Sequence, residues 1–230
     1  MSIFFVSLII LIAFLPLICF GILRFYEYLK FKSTGYYKKN KIKYWEMAKN
    51  KGAYGEFLTY CILNKLYPND EIFLNTYIPI NNKTTEADLI LVDKTGIYVF
   101  ESKNYSGWIF GKDTDHKWTV TLQNSKKYYF LNPVKQNEFH IKALKELLNL
   151  DDKYFQSIIV FSDRCELKKL TTKTPTMKRS YLKRELPKLI KSKEELLTAD
   201  EIANINDTLK KYSNVSDEVK EAHIKNLKSN

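Results

Sequence analysis

The stretch that decides the fold is TTEADLILVDKTGIYVFESKN, residues 84–104. Two apolar runs of strand length flank the turn-forming residues 94–96, and this pattern predicts a β-hairpin. Asp88 lies at the start of the first run, whereas Glu101 and Lys103 end the second. Because residues two apart in a strand point to the same face, Glu101 and Lys103 share a face. The hairpin therefore predicts that two carboxylates and an ammonium meet at one edge of a sheet.

This grouping suits the cleavage of a phosphodiester bond, which needs an activated water and neutralisation of charge on the phosphate. Mg²⁺ prefers oxygen ligands, takes one or two carboxylates and keeps several waters. We expect Asp88, Glu101 and the backbone carbonyl of Ser102 to ligate Mg²⁺, with Mn²⁺ as an alternative ion. Lys103 would orient the water or offset charge in the transition state. Charged residues are also common at strand ends, so the triplet alone leaves a purely structural role open.

The segments around the hairpin predict an α/β fold with the order helix, three strands, further short strands, helix and strand. Residues 52–67 carry apolar side chains at helical spacing, and residues 71–80 are typical of a strand. Short strands are expected within residues 107–130. Pro133 suits the first position of the second helix. The apolar run at residues 157–162 is typical of a strand in the centre of a sheet.

The N-terminal segment, residues 2–23, has no charged residue and is rich in Ile, Leu, Phe and Val. At about 1.5 Å per residue it reaches roughly 33 Å, enough to cross the hydrocarbon core of a bilayer. A cleaved signal peptide is the alternative, but no basic residue precedes the run and no small-residue cleavage site follows it. Between residues 24 and 43 the run is followed by seven cations and one acid, Glu27. The cations are Arg24, Lys30, Lys32, Lys38, Lys39, Lys41 and Lys43. Because positive flanks stay inside, we expect a single-pass protein of the cell membrane, with its N-terminus outside and the rest cytoplasmic.

Several separated motifs resemble the NERD (nuclease-related) domain, a branch of the PD-(D/E)xK restriction-endonuclease-like superfamily. The resemblance runs from Gly52 to about Ser162, roughly half of the chain. Agreement of several motifs in order is more specific than any one of them. The matching elements are Gly52-x-x-Gly55-Glu56, Thr85-Glu86-x-Asp88, GIYVFE-x-KN at residues 96–104, Gly107, Trp118, and Asn132-Pro133-x-x-Gln136-Asn137 with His140.

The resemblance implies a restriction-endonuclease-like αβββαβ core with a mixed sheet, a divalent metal, and nucleic acid as substrate, with DNA expected. This chain departs from the family at Ala87, where the superfamily has proline, and at Leu89, where the branch usually has histidine. Neither departure removes a ligand. The residues that the resemblance carries over are Asp88, Glu101 and Lys103 for metal binding and catalysis, with Glu56 and Gln136 as residues lining the site.

We divide the chain into four segments on these grounds: a transmembrane anchor at 1–23, a basic juxtamembrane stalk at 24–50, the nuclease-like domain at 51–165, and a basic, mostly helical C-terminal extension at 166–230. The chain has 37 Lys and Arg against 26 Asp and Glu, and its net charge is +11. This surplus favours polyanionic partners, either nucleic acid or anionic lipid headgroups. Ten of the cations lie between residues 168 and 193.

The sequence leaves three hypotheses for function. The first is a membrane-anchored, Mg²⁺-dependent nuclease, which the acid pair favours. The second is a catalytically silent nucleic-acid-binding or interaction module on the same fold. The third is a membrane-surface adaptor, a hypothesis that rests on the basic segment and does not explain the acid pair. Oligomeric state stays open. Other residues have two readings each: His140 can approach a phosphate or lie at the edge of the core, and the aromatic residues can stack on bases or fill a core. These aromatic residues are Trp108, Trp118, Tyr128 and Tyr129.

Overall fold

The computed structural model describes the backbone of residues 3–81, 83–213 and 215–228. The helices in this part of the chain are α1 (Ile3–Ser33), α2 (Tyr36–Asn40), α3 (Tyr44–Lys49), α4 (Lys51–Leu66), α5 (Pro133–Leu148), α6 (Arg179–Lys191), α7 (Ala199–Ser213) and α8 (Asp217–Lys228). The strands are β1 (Ile72–Ile80), β2 (Lys83–Asp93), β3 (Gly96–Lys103), β4 (Gly107–Lys112), β5 (Lys117–Thr121), β6 (Lys127–Leu131), β7 (Phe155–Phe161), β8 (Cys165–Thr171) and β9 (Thr176–Lys178).

A five-stranded mixed sheet in the order β1-β2-β3-β7-β9 forms the centre of the molecule. The first three strands are antiparallel, whereas β3, β7 and β9 run parallel to one another. The predicted hairpin is confirmed, because Asp93 pairs with Gly96 and Leu89 pairs with Phe100. Helix α4 precedes β1, and α5 precedes β7. The predicted αβββαβ order and mixed sheet are therefore confirmed, and α5 begins at Pro133 as predicted.

Both faces of this sheet are covered, which explains why the hairpin strands read as continuous apolar runs. One face packs against α4 and the other against α5 and α7, and successive side chains alternate between the two cores. The hairpin residues on the α4 side are Leu89, Leu91, Tyr98 and Phe100. Those on the α5 side are Ile90, Val92, Ile97 and Val99. Full burial of each such side chain contributes about 1.5–3 kcal/mol to stability.

A second sheet, in the order β6-β5-β4-β8, lies beside the central one. The short strands predicted within residues 107–130 are β4 to β6, and β8 joins β4 in parallel. Trp118 is completely buried and its ring lies parallel to that of Phe161. A side chain at Gly111 could not be accommodated, because its Cβ would lie 2.3 Å from the Trp118 ring. Of the two readings for Trp118, the core reading is confirmed.

The N-terminal helix α1 is long and apolar enough to span a membrane over Ile12–Ser33. Within the predicted anchor, exposure is described for Phe5 and for residues 12–23, and all of these are exposed. The helix continues without a break into the segment predicted as a stalk. Its end enters the domain, because Phe31 is 2% exposed and belongs to the core on the α4 side.

Residues 24–50 differ from the stalk expected from sequence, because they pack as part of the domain. Tyr36, Tyr44 and Met47 are buried in the same core as Phe31. The Tyr44 hydroxyl donates to Glu27 Oε2 at 2.8 Å, which fastens α3 to α1. The high lysine content favoured a stalk, but some of the aromatic side chains between the lysines are buried, whereas others, such as Trp45, stay exposed. The outer boundaries of the four predicted segments stay predictions.

The C-terminal extension begins with two strands before it becomes helical. Strand β9 adds to the edge of the central sheet beside β7, and α6 follows it directly. A capping box at Thr198 and Glu201 begins α7, with the Glu201 carboxylate accepting from the Thr198 backbone N–H at 2.8 Å and the Thr198 hydroxyl accepting from the Glu201 backbone N–H at 3.3 Å. Helix α7 covers the α5-side core with Ile205 and Leu209. The extension thus completes both the sheet and one of its cores.

Replacing Phe31 tests whether residues beyond the predicted anchor belong to the core. We expect Phe31→Ala to lower the free energy of unfolding by about 3–5 kcal/mol, because truncating a buried phenylalanine leaves a cavity. Phe25, on the same helix, is 62% exposed, and Phe25→Ala should change stability by less than about 0.5 kcal/mol. Denaturation of both variants in detergent measures the difference. Equal stability of the two would contradict this packing.

Candidate active site

The two predicted carboxylates meet where the β2–β3 hairpin ends. The last residue pair between β2 and β3 is Leu89 with Phe100, and Asp88 immediately precedes Leu89 in the chain. Its Oδ2 atom accepts a hydrogen bond of 2.8 Å from the backbone N–H of Ser102. The structure therefore brings Asp88 beside the Glu101–Lys103 end of β3, as the hairpin predicted. The carbonyl of Ser102 faces the same edge, because the N–H and C=O of one strand residue point to the same side.

Glu101 and Lys103 form an ion pair in this corner. Lys103 Nζ lies 2.6 Å from Glu101 Oε1, and the Glu101 side chain is 1% exposed. The same ammonium donates to Gln136 Oε1 at 2.9 Å. Gln136, from α5, therefore holds Lys103 together with the carboxylate. The structure thus groups Glu101, Lys103 and Gln136 by direct contacts, and Asp88 joins them through the Ser102 backbone N–H.

His140 lies deeper in the site than the sequence suggested. It is 4% exposed, and its Nε2 atom lies 3.3 Å from Glu101 Oε2. Its Nδ1 atom lies 2.7 Å from the Thr85 hydroxyl. When that hydroxyl donates to Nδ1, the ring proton is on Nε2 and faces Glu101. The spacing of four residues after Gln136 signalled a shared helix face, but only the fold shows which carboxylate the ring meets.

A second acidic group flanks the first. It consists of Glu56, which the resemblance named as lining the site, and Glu86, to which the sequence assigned no role. Asn75 donates through Nδ2 to Glu86 Oε1 at 2.8 Å and reaches Glu56 Oε2 at 3.4 Å. Asn75 has a left-handed backbone, with φ 46°, and interrupts the pairing of β1 with β2. This irregularity is what turns its amide toward the two carboxylates. The sequence feature that could have indicated this role is an asparagine within the largely apolar strand β1.

The carboxyl groups of this site have different neighbours, and their pKa values shift in different directions. Burial, reinforced by the negative charges of Glu101 and Glu56, raises the pKa of Asp88 well above its ordinary value. Burial also acts to raise the pKa of Glu101, but the Lys103 ammonium and His140 outweigh it and the pKa is lowered. Burial and the neighbouring carboxylates, Glu86 first, raise the pKa of Glu56 to about 7. If all these carboxylates were ionised, the group would hold more negative charge than Lys103 offsets, so protons are retained unless a bound cation offsets that charge.

The oxygen donors present fit Mg²⁺. Two carboxylates and one backbone carbonyl share the strand end, and Mg²⁺ fills its remaining positions with water. Glu101 Oε2 is buried, and its contact with His140 Nε2 at 3.3 Å leaves a carboxylate lone pair for a ligand. Across the described ranges, no three His, Cys, Asp or Glu side chains form a ready-made cage. A magnesium site with two carboxylates does not need one.

The site opens into a cleft of about 680 Å³. Beside the carboxylates and Lys103, the cleft is lined by exposed Lys51 and Arg164 and by Tyr128, which is 52% exposed. The two cations and the aromatic ring give the rim the composition of a nucleic-acid contact surface. Of the aromatic residues considered for stacking, Tyr128 alone lines this cleft.

The basic run at residues 168–193 has both surface and buried members. Arg179 is 5% exposed, and its Nε donates to the Thr59 hydroxyl at 3.1 Å. The Thr59 hydroxyl lies 3.1 Å from the Ser102 hydroxyl. A chain of polar contacts therefore joins the C-terminal extension to the strand that carries the site. Sequence patterning missed this role, because Arg179 stands among solvated lysines.

Fold and site together define a restriction-endonuclease-like α/β domain with an acidic site at the end of the hairpin. The nuclease-related domain family, NERD, matches residues 51–162. An uncharacterized protein of Bacillus anthracis is 33% identical over 184 residues, which cover 79% of this chain and 85% of that protein. The chain belongs to the nuclease-related domain family. No solved structure matches it.

The acidic excess predicts an unusual pH dependence of stability without metal. The raised pKa of Glu56, about 7 against 4.5 ordinarily, means that the folded state binds more protons than the unfolded state between those values. Stability should therefore fall as pH rises through this window. Glu56→Gln removes this loss and should stabilise the protein at about pH 8 by on the order of 1–2 kcal/mol, allowing for partial solvation of the side chain.

Thermal denaturation in chelator at about pH 4 and about pH 8 measures this effect. At the lower pH, Glu56→Gln should be as stable as the parent, since the carboxyl is protonated in both states. Glu138, exposed on α5, supplies the matched control, and Glu138→Gln should show no pH-dependent gain. A gain from Glu56→Gln that is equal at both pH values would contradict the raised pKa.

Proposed function

We propose that this protein is a membrane-anchored, Mg²⁺-dependent nuclease that cleaves phosphodiester bonds, with DNA as the first substrate to test. The observation that carries the proposal is the grouping of Asp88, Glu101 and Lys103 at one strand end, in the lining of a single cleft whose rim is cationic. Membership of the nuclease-related family supports the same reaction class. Mn²⁺ has similar ligand preferences and is expected to substitute.

Each residue has a separable part in the proposed reaction. Asp88, Glu101 and the Ser102 carbonyl would hold the ion, and Mg²⁺ when bound polarises the phosphate and lowers the pKa of its water. Lys103, fixed between Glu101 and Gln136, places a positive charge where the transition state gains negative charge. Glu56 lines the same cleft, and its pKa of about 7 suits a carboxylate that accepts a proton from the attacking water at neutral pH.

Substitutions at the strand end test this assignment. Asp88→Asn and Glu101→Gln each keep the shape but remove a negative ligand, so each should abolish Mg²⁺-dependent cleavage. Nucleic-acid affinity in chelator should persist or rise, because a charge that repels phosphate is gone. Lys103→Met should keep metal binding and lose most of the rate, about 100-fold or more. Cleavage of plasmid, linear duplex and RNA by the full-length protein in detergent measures the rates.

Thermal denaturation of the same proteins supplies the control for folding, and Glu138→Gln serves as the matched surface variant. If the three residues were only structural ions, their variants would lose stability and binding together. Folded variants that cleave at the parent rate would end the nuclease assignment. A parent protein that binds nucleic acid but never cleaves it would favour the catalytically silent binding module.

The proposed location is tested separately, by fusing a reporter after Asn230. We expect the full-length protein to fractionate with membranes and the reporter to be cytoplasmic, because seven cations follow the apolar run. Replacing Lys38, Lys41 and Lys43 with glutamine should weaken this orientation without removing the protein from the membrane. Recovery of a shortened, exported protein that lacks residues 1–23 would show that the segment is a signal peptide.

A further inference from the structure

A second cavity, of about 710 Å³, adjoins the carboxylate cleft. The two cavities share Asp88 and Gln136 in their linings, so they meet at the proposed reaction site. The second cavity lies between the end of β6, helix α5 and the C-terminal helix α8, which contributes His223. Its size lies within the range of cavities that bind small organic molecules. Nothing in the proposed cleavage reaction requires it.

The two cavities differ in chemistry. The carboxylate cleft presents Lys51, Lys103 and Arg164, which suit phosphate groups. The second cavity instead presents the apolar side chains of Leu131, 64% exposed, and Phe139, 46% exposed. Large apolar side chains left exposed beside a catalytic cleft are typical of a surface that binds a flat or apolar ligand group.

The charged groups in the second cavity are of both signs. Glu86 and Asp88 line it together with Lys83 and Lys135. Glu86 is held by Asn75, and its other oxygen lies 3.9 Å from His223 Nε2. The Glu86 carboxylate is an acceptor to which the exocyclic amino group of a base could donate a hydrogen bond. The cavity thus combines a face for stacking with acceptors for a ring edge.

We propose that the second cavity binds one unpaired nucleobase, that of the nucleotide adjoining the phosphate held at the carboxylate site. The inference rests on the proposed nuclease function and specifies its substrate class. The phosphate would lie in the cationic cleft, and the attached base would enter the neighbouring cavity and stack on Phe139. A base within an intact duplex cannot reach such a cavity unless it leaves the stack. The preferred substrate is therefore single-stranded, or contains an unpaired nucleotide.

The decisive measurement is equilibrium binding, which does not depend on catalysis. The full-length protein in detergent, with chelator present, is titrated against two fluorescent strands of about 16 nucleotides. One strand carries bases, and the other has the same phosphates and sugars but lacks every base. We expect the parent to prefer the strand with bases. Phe139→Ala should weaken binding to that strand by about 5-fold or more, as expected for loss of one stacking contact, and should leave the abasic strand unaffected.

Two further variants keep the test specific. Phe139→Trp retains an aromatic surface and should restore the preference for bases. Tyr129, 68% exposed on the same sheet as Leu131 but outside both cavities, supplies the matched control, and Tyr129→Ala should bind both strands as the parent does. Phe139 is substantially exposed, so its loss should not unfold the protein, and thermal denaturation checks this.

The outcomes separate this inference from the function on which it rests. Equal affinity of the parent for the two strands, or equal weakening of both by Phe139→Ala, overturns the nucleobase site while leaving nucleic-acid binding intact. Failure of the parent to bind any strand overturns the proposed function itself. Selective loss on the strand with bases, together with preferential cleavage of single-stranded circles over intact duplex, supports both.

Discussion

The structure depends on one electrostatic constraint: the burial of Asp88 and Glu101 beside a single ammonium, that of Lys103. A buried carboxylate without compensation is strongly destabilising. Lys103 pairs with Glu101 at 2.6 Å, and the Ser102 backbone N–H satisfies one oxygen of Asp88. The compensation is incomplete, since the pKa of Asp88 stays raised. A site whose carboxylates resist full ionisation in the free state gains from a bound cation, and this property links the fold to the proposed chemistry.

Segments outside residues 51–162, the part that matches the nuclease-related family, contact the elements that carry the acidic site. Arg179 reaches from the start of α6 to Thr59 on α4, and Thr59 contacts Ser102. The contact brings together residues 120 positions apart, so a residue outside the matched region takes part in holding the site. Helix α8 similarly places His223 beside the β2 strand, where its ring contacts Thr84. The C-terminal extension is therefore part of the architecture around the site.

The N-terminal segment also packs against the domain. Helix α1 ends inside the core through Phe31, and Tyr60 of α4 donates its hydroxyl proton to the Thr34 carbonyl at 3.0 Å. A bilayer that held the exposed part of α1 would therefore also restrain the orientation of the domain. A flexible linker would leave the domain free to rotate relative to the bilayer, whereas these contacts would restrict that rotation. Under the proposed function, the cleft would be presented to nucleic acid in a defined direction.

The sequence by itself determined the hairpin, the helix beginning at Pro133, the αβββαβ order and the proximity of Asp88 to Glu101. These follow from local periodicity, turn residues and strand alternation, which act over a few residues. Only the tertiary structure decided that His140 faces Glu101, that Asn75 joins Glu86 to Glu56, and that Arg179 is buried beneath Ser102. It also decided that lysine-rich residues 24–50 pack into the core. Local patterns show which face of an element is apolar, but not which distant side chain the fold brings against it, because that depends on packing among all the elements at once.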